Sequence, residues 1–297
     1  MTEKNQNAES DQPSVGTIEN EKYLNQPSGG MIENEKYLNQ PSGGMIENEK
    51  YLDRALLEYC NSDAYPFHMP GHKRQTMGNW NCEAIDITEI TGFDNLHHAE
   101  GILLEAQQRA AQTFGADESF FLVNGSTAGL LAAVCGTVKK GGRLLMARNC
   151  HKAVYHAVYL MELQTEYLYP EQTEFGIQGS IAPKQVQRML EQYPDTQAVL
   201  LTSPTYDGVV SDIAAIAEIV HAHQIPLIVD EAHGAHFGFS ERFPKKAISY
   251  GADLCIESVH KTLPAYTQTA LLHYRKKRLL WLQYLLLRTS SNIVCHK

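Results

Sequence analysis

The sequence lacks the features that mark secreted, membrane-spanning and nucleic-acid-binding proteins. Its six cysteines form no Cys-x-x-Cys pair and no framework spacing, which predicts buried free thiols in a reducing compartment. The polar N-terminus, MTEKNQNAES, has no apolar secretory segment, and the longest apolar runs are too short to cross a bilayer. The net charge of −9 argues against a nucleic-acid partner. We therefore expect a cytoplasmic protein without a membrane span.

Metal-binding motifs are also missing, although histidine is frequent. The chain contains no His-Glu-x-x-His motif and no cluster of cysteine with histidine, so we predict no metal site. The histidines that a fold can still bring together for zinc are His68, His72, His97, His98, His233 and His236.

The first 45 residues consist largely of a repeat. IENEKYLNQPSGGM occupies 18–31 and recurs unchanged at 32–45. Such a unit has too few apolar residues to order itself, and Pro-Ser-Gly-Gly interrupts any helix, so we predict that 1–45 is disordered. A repeat that binds a partner is the alternative. Residues 46–115 are predicted to form a segment of helix and loop, and its PFHMPGHK loop is either an anion contact or a surface turn.

From Phe120 onward, patterns typical of strands and helices alternate. This alternation predicts an α/β fold over 116–275, with helices on both faces of a mostly parallel, about seven-stranded sheet in a three-layer α/β/α arrangement. The predicted strands are Phe120–Val123, Arg143–Ala147, Glu166–Tyr169, Ala198–Thr202, Pro226–Asp230, Leu254–Glu257 and Thr269–Tyr274. The predicted helices between them are Thr127–Val138, His151–Met161, Pro183–Gln192 and Ile213–His223. Ligands of such sheets bind beyond the carboxyl ends of the strands.

Two of these strand ends carry groups suited to a flat, phosphorylated ligand. Ser126 and Thr127 open a helix after the first strand, where hydroxyls, backbone N–H groups and the helix dipole can cradle a phosphate. An ordinary helix N-cap is the alternative for this pair. His151 opens the next helix, where its ring either lies on a flat cofactor or simply caps the helix or contacts solvent.

The later strand ends carry a carboxylate and an amine. Asp230 directly follows three apolar strand residues, and a buried carboxylate needs a cation such as a protonated pyridine nitrogen. A Mg²⁺ ligand or a helix cap is the alternative. Ala232 is small enough to lie under such a ring, and His233 can reach its hydroxyl. Lys261 carries an amine that can bond an aldehyde cofactor, and its spacing from Asp230 places both at one edge of the sheet.

These motifs, taken in order, resemble a known family. VNGST, RNCHK, SPTYDG, VDEAHGAH and SVHKTL are similar to fold-type-I pyridoxal-phosphate enzymes, and PFHMPGHKR and DNLHHAEGIL narrow the resemblance to the ornithine/lysine/arginine decarboxylase family. The resemblance covers about Tyr51 to Ser291. It implies that Lys261 is the Schiff-base lysine, Asp230 the pyridinium partner and His151 the ring-stacking residue. The phosphate contacts that it implies are Ser126, Thr127, Ser258 and His260.

The resemblance also implies an activity and a partner. It implies pyridoxal-phosphate-dependent decarboxylation of arginine, lysine or ornithine to an amine or polyamine precursor, by a homodimer that shares its sites across the interface. The family continues beyond the Thr-Ser-Ser near residue 290 into a small domain, so residues 276–297 are interpreted as a truncated tail with the small domain missing. The alternative is an inactive fragment that keeps the cofactor platform and associates with a full-length relative.

Overall fold

The computed structural model describes residues 51–66, 74 and 82–276. The repeat, the loop that contains His68 and His72, and residues 277–297 lie outside the described residues, so the predictions made for them stay predictions. Within the described part, no helix is both long and apolar enough to span a membrane.

The core of the described region is a sheet of seven strands. They are β1 (Glu118–Phe121), β2 (Arg143–Ala147), β3 (Gln164–Leu168), β4 (Thr196–Thr202), β5 (Leu227–Asp230), β6 (Leu254–Glu257) and β7 (Leu271–Tyr274). Their spatial order is β1-β7-β6-β5-β4-β2-β3. Strands β2 to β6 pair in parallel, and β7 runs antiparallel to both β6 and β1. The predicted mostly parallel, seven-stranded sheet is confirmed.

Helices cover both faces of this sheet. The α-helices of the described residues are α1 (Leu52–Cys60), α2 (Ile102–Phe114), α3 (Gly125–Thr137), α4 (Lys152–Met161), α5 (Pro183–Gln192), α6 (Ile213–Ala222) and the short α7 (Val259–Thr262). Helices α3 and α4 pack on one face, and α5 and α6 pack on the other. The three-layer α/β/α arrangement is therefore also confirmed.

Alternation along the central strands builds two separate cores. On β4 and β5, Leu200 and Ile228 face α3 and α4, whereas Val199 and Val229 face α5 and α6. All four side chains are buried, because helices cover both faces. Successive residues of a strand point to opposite faces, so each strand end offers one side chain to each side of the sheet.

Several predicted boundaries differ from the structure. Strand β1 begins two residues before the predicted Phe120–Val123, and Val123 is exposed instead. The predicted Glu166–Tyr169 strand begins earlier, at Gln164, because β3 is an edge strand in register with β2 from Arg143 onward. Helix α2 lies in the segment predicted to contain helix and loop, but its bounds were not predicted, since its buried stripe includes Gln107 and Ala111 and is weakly apolar.

The prediction of buried thiols holds for only part of the described cysteines. Cys135, Cys150 and Cys255 are buried and free, but Cys60 is half-buried and Cys82 is exposed. The prediction was wrong for Cys60 and Cys82, because they lie in the segment before β1, outside the two cores of the sheet. Cys295 is outside the described residues.

A close approach between α3 and the sheet depends on Gly129. A Cβ atom at Gly129 would lie 2.6 Å from Cδ1 of Leu122 and 3.0 Å from Cγ2 of Ile256. Only glycine fits there without displacement of the neighbouring side chains. This contact brings the N-terminus of α3 next to the carboxyl end of β6.

Candidate functional site

The predicted site residues follow strand ends that share one edge of the sheet. Because β7 is antiparallel to both β1 and β6, those two strands run in the same direction as β2, β4 and β5. Their carboxyl ends therefore lie on the same edge, where ligands of α/β sheets bind.

Ser126 and Ser258 meet at this edge of the sheet. The hydroxyl of Ser258 donates to the hydroxyl of Ser126 over 2.7 Å, although the two residues lie 132 positions apart. The N-cap of α3 is Asn124, in the left-handed region at φ 68°, and its side chain makes no cap hydrogen bond. Ser126 is thus not the N-cap that the alternative interpretation required. Thr127, in the first turn, is exposed.

Lys261 lies in α7, directly after β6, with an exposed side chain. Its Nζ atom is 3.2 Å from Nε2 of His233, which follows β5. Burial and then the charge of Lys261 lower the pKa of both His233 and His151. A neutral imidazole of His233 can accept a hydrogen bond from the ammonium group.

Asp230 ends β5 with a buried carboxyl group. Its Oδ1 atom accepts a hydrogen bond from the backbone N–H of Ala232 over 3.2 Å. Burial raises the pKa of Asp230 to about 6, while that N–H group and the charge of Lys261 oppose the rise. A cation placed against this carboxyl group would relieve the cost of burying its charge.

His151, His260 and Ala232 occupy the same edge with partners of their own. His151 caps α4, because its Nδ1 accepts the N–H of Ala153 over 3.2 Å. Nδ1 of His260 is 3.1 Å from the carbonyl oxygen of Thr269. Ala232 is buried after Asp230. These contacts fix the rings of the two histidines, and a role of either histidine toward a cofactor stays a prediction.

Sequence reasoning missed two neighbours of the site. The ring of Tyr206 meets the ring of His233 edge to face, with 5.5 Å between centroids and 78° between planes. The thiol of Cys150 lies near Asp230, and burial followed by the Asp230 charge raises its pKa to about 12. Tyr206 could have been found from its place in SPTYDG after β4, whereas Cys150 carries no signal beyond its place before His151.

A second group of ionisable side chains lies on the opposite face of the same strand ends. Nζ of Lys246 donates to Oε1 of Glu257 over 3.0 Å and to the carbonyl oxygen of Ala235 over 2.9 Å. The rings of Phe114 and Phe239 flank the ammonium group, with centroids 4.2 Å and 5.0 Å away. Lys246 thereby joins the end of β6 to the segment that follows His233.

Glu231 and Cys255 complete this buried group. The thiol of Cys255 donates to Oε2 of Glu231 over 3.0 Å, and Oε1 accepts the N–H of Ala247. Burial, and then the charge of Glu257, raise the pKa of Glu231 to about 8. Glu231, Cys255 and Glu257 are close enough to share a metal ion, but Lys246 already supplies a cation there.

The fold and this edge together define a class: an α/β protein with a lysine amine, a buried carboxylate and paired serines at the carboxyl ends of its strands. The family described as "Orn/Lys/Arg decarboxylase, major domain" matches residues 51–292. The chain therefore belongs to the Orn/Lys/Arg decarboxylase family.

Curated relatives agree with this family. The chain is 40% identical over 228 residues to the Bacillus subtilis protein YaaO, covering 74% of this chain and 48% of that protein. It is 35% identical over 232 residues to an arginine decarboxylase of Bacillus cereus, covering 75% and 50% respectively. The chain thus spans about half the length of these relatives.

Solved structures show the same fold. Lysine decarboxylase A from Pseudomonas aeruginosa superposes with a TM-score of 0.70 at 24% identity, over 80% of this chain and 36% of that chain. The constitutive lysine decarboxylase of Escherichia coli superposes with a TM-score of 0.64 at 23% identity, over 83% and 38%. At these identities the likeness concerns the fold alone.

Proposed function

We propose that this chain forms the cofactor-binding part of a pyridoxal 5'-phosphate-dependent decarboxylase that acts on a basic amino acid. The observation that supports this most directly is the pairing of groups at one sheet edge. Lys261 offers an exposed amine, and its charge acts on the buried carboxyl group of Asp230. An aldehyde cofactor with a basic ring nitrogen needs both groups.

The donor set at this edge fits that cofactor from end to end. The Ser126 and Ser258 hydroxyls and the N-terminus of α3 would hold the phosphate, with Thr127 and His260 beside them. Asp230 would hold the ring nitrogen, since its buried carboxyl group needs a cation. Lys261 would bond the aldehyde carbon. His151 and Ala232 would cover the two ring faces, and His233 would meet the ring hydroxyl.

Side chains of the protein would set the protonation states of the cofactor and of the groups around it. The cofactor, when bound, supplies an electron sink for the bond that breaks at the substrate α-carbon. Asp230 would stay ionised to keep the ring nitrogen protonated. Burial and the charge of Lys261 lower the pKa of His233. Its imidazole would therefore remain a neutral hydrogen-bond acceptor near Nζ of Lys261. Lys261 would hold or release a proton at Nζ when the substrate has taken its place on the cofactor.

The substrate and the assembly follow from the relatives' names and the resemblance. Relatives named arginine decarboxylase and lysine decarboxylase support arginine, lysine or ornithine as the substrate class. We propose that the protein acts as a cytoplasmic homodimer. Tyr206 and Tyr266, which are 85% and 93% exposed, offer aromatic surface for such an interface.

Spectroscopy with added pyridoxal 5'-phosphate tests the cofactor part of this proposal. We expect an absorbance band of lysine-bound cofactor in the wild-type chain and its loss in Lys261→Ala. Lys245→Ala is the matched control, because Lys245 is also exposed but is not one of the residues proposed to hold the cofactor. Equal bands in all three proteins would contradict the assignment of Lys261.

Release of labelled CO₂ from arginine, lysine and ornithine tests turnover. Release from one of them, abolished in Lys261→Ala, would support the decarboxylase. A chain that binds the cofactor but releases no CO₂ from any of the three would instead support the alternative, an inactive fragment that associates with a longer relative.

A further inference from the structure

Thr202, the last residue of β4, carries an unexplained hydroxyl at the edge of the proposed cofactor site. Its Oγ1 atom is buried and makes no hydrogen bond. A buried hydroxyl without a partner is costly, by more than a hydrogen bond typically contributes to stability. Thr196, at the start of the same strand, has no such defect, because its hydroxyl donates to the carbonyl oxygen of Tyr193 over 2.7 Å.

The register of the sheet places Thr202 beside Asp230. The two residues are Cα partners across the parallel pair of β4 and β5, and neighbouring strands lie about 4.8 Å apart. Two residues earlier on each strand, Leu200 and Ile228 both face α3 and α4. Side chains alternate along a strand, so Thr202 and Asp230 point to that same face.

Asp230 in turn lacks a donor for its second oxygen. Among the described residues, the side chain of Asp230 makes one hydrogen bond, from the N–H of Ala232 to Oδ1. The charge of Lys261 from α7 acts on Asp230, and the thiol of Cys150 from the turn before α4 lies near it. Neither gives the carboxylate a hydrogen bond in this structure.

We infer that Thr202 is a positioning residue whose hydroxyl turns about χ1 to donate to the carboxylate of Asp230. The donor favours the ionised carboxylate over the protonated acid, because a protonated acid needs no donor there. It also orients the carboxyl group toward the position of the ligand. A proton shared between Asp230 and a ring nitrogen then stays on the ring nitrogen.

A double-mutant cycle without cofactor tests the contact itself. The titration of Asp230 is read from the unfolding free energy of wild type against Asp230→Asn across pH, in the presence and absence of Thr202→Val. We expect Thr202→Val, which keeps the β-branched shape, to raise the pKa of Asp230 by about one unit, whereas Thr202→Ser leaves it in place. Thr202→Ala gives the same reading if the valine variant does not fold.

Thr196→Val is the matched control, on the same strand but at the other edge of the sheet. It should lower stability equally at all pH values, because its hydroxyl donates to a backbone carbonyl far from Asp230. The inference is overturned if Thr202→Val behaves like Thr196→Val, with a loss of stability that does not change with pH.

A second measurement rests on the proposed function and uses added pyridoxal 5'-phosphate. In Thr202→Val, we expect the pH titration of the bound-cofactor band to change, with less of the form that has a protonated ring nitrogen at neutral pH, and Thr202→Ser to restore it. A wild-type chain with no band would sink the proposed function, while the cofactor-free cycle would still decide the role of Thr202. A band whose titration is the same in wild type and Thr202→Val would contradict that role.

Discussion

Asp230 and Glu231 are neighbours whose carboxyl groups serve opposite faces of the sheet. Asp230 faces the proposed cofactor, whereas Glu231 contacts Cys255 and the backbone of Ala247. Both pKa values are raised by burial, to about 6 and about 8. Two consecutive residues thus differ in charge: Asp230 is a carboxylate with room for a cation, whereas Glu231 is a carboxylic acid that keeps its proton.

Glu231 should make the protein less stable in alkali. Its folded pKa of about 8 exceeds the ordinary value of 4.5, so the unfolded chain releases this proton first. The free energy of unfolding should fall as pH rises from about 4.5 to about 8, on the order of 5 kcal/mol, and change little above that. Denaturant titrations of wild type and Glu231→Gln across pH measure this slope.

The glutamine variant should flatten the curve, because it cannot titrate but still accepts the N–H of Ala247. Glu174→Gln is the control, since Glu174 is exposed. An unchanged slope in Glu231→Gln would assign the proton to another member of the group.

At the scale of elements, the ends of β5 and β6 are joined by one ion pair. Lys246 holds Glu257 at the end of β6 and the carbonyl of Ala235 in the turn beyond β5. Both charged groups are almost fully buried. Removal of one partner leaves an uncompensated charge, which costs more than removal of both.

Lys246→Met should therefore lower the free energy of unfolding by about 3–5 kcal/mol, and Lys246→Met/Glu257→Gln should recover most of it. Chemical denaturation of the three proteins at pH 7 measures the difference. Lys245→Met, at the exposed neighbouring lysine, should have little effect. A double variant as unstable as the single one would show that the contact with Ala235, rather than the charge, dominates.

The packing of α3 on β6 gives a second prediction at this scale. Gly129→Ala would force overlap with Leu122 and Ile256, so stability should fall by about 1–3 kcal/mol. Because α3 carries Ser126, the same shift should also weaken binding of pyridoxal 5'-phosphate, measured by titration of its absorbance. Loss of stability with unchanged binding would show that the packing at Gly129 does not affect the proposed phosphate contacts.

The elements that sequence reasoning predicted are those with a local signal. Continuous apolar runs predict β4, β5 and β6, and polar residues at their ends predict one shared edge. The bounds of helix α2 were not predicted, because Gln107 and Ala111 lie between Ile102 and Phe114 in its buried stripe and weaken the apolar pattern. The Lys246–Glu257 pair and the Ser126–Ser258 contact join residues distant in sequence, so no local pattern reveals them.

For the whole molecule, a ligand that binds only the folded chain must stabilise it. Pyridoxal 5'-phosphate at a hundredfold excess over its Kd should raise the free energy of unfolding by about 2.7 kcal/mol. Asp230→Asn should reduce this gain, because the amide cannot neutralise a protonated ring nitrogen. Thermal unfolding with and without the cofactor checks both expectations. An equal gain in stability in Asp230→Asn would contradict the proposed contact between Asp230 and the ring nitrogen.

Strand β7 lies between β1 and β6, so the first and last strands of the sheet depend on each other. During synthesis on the ribosome, β1 emerges about 150 residues before its pairing strand and must wait with an open edge. The serine pair spans this same gap, since Ser126 follows β1 and Ser258 follows β6. A nascent chain halted before residue 271 would therefore carry Lys261 and Asp230, but the strand that pairs with both β1 and β6 would be missing beside the proposed phosphate contacts.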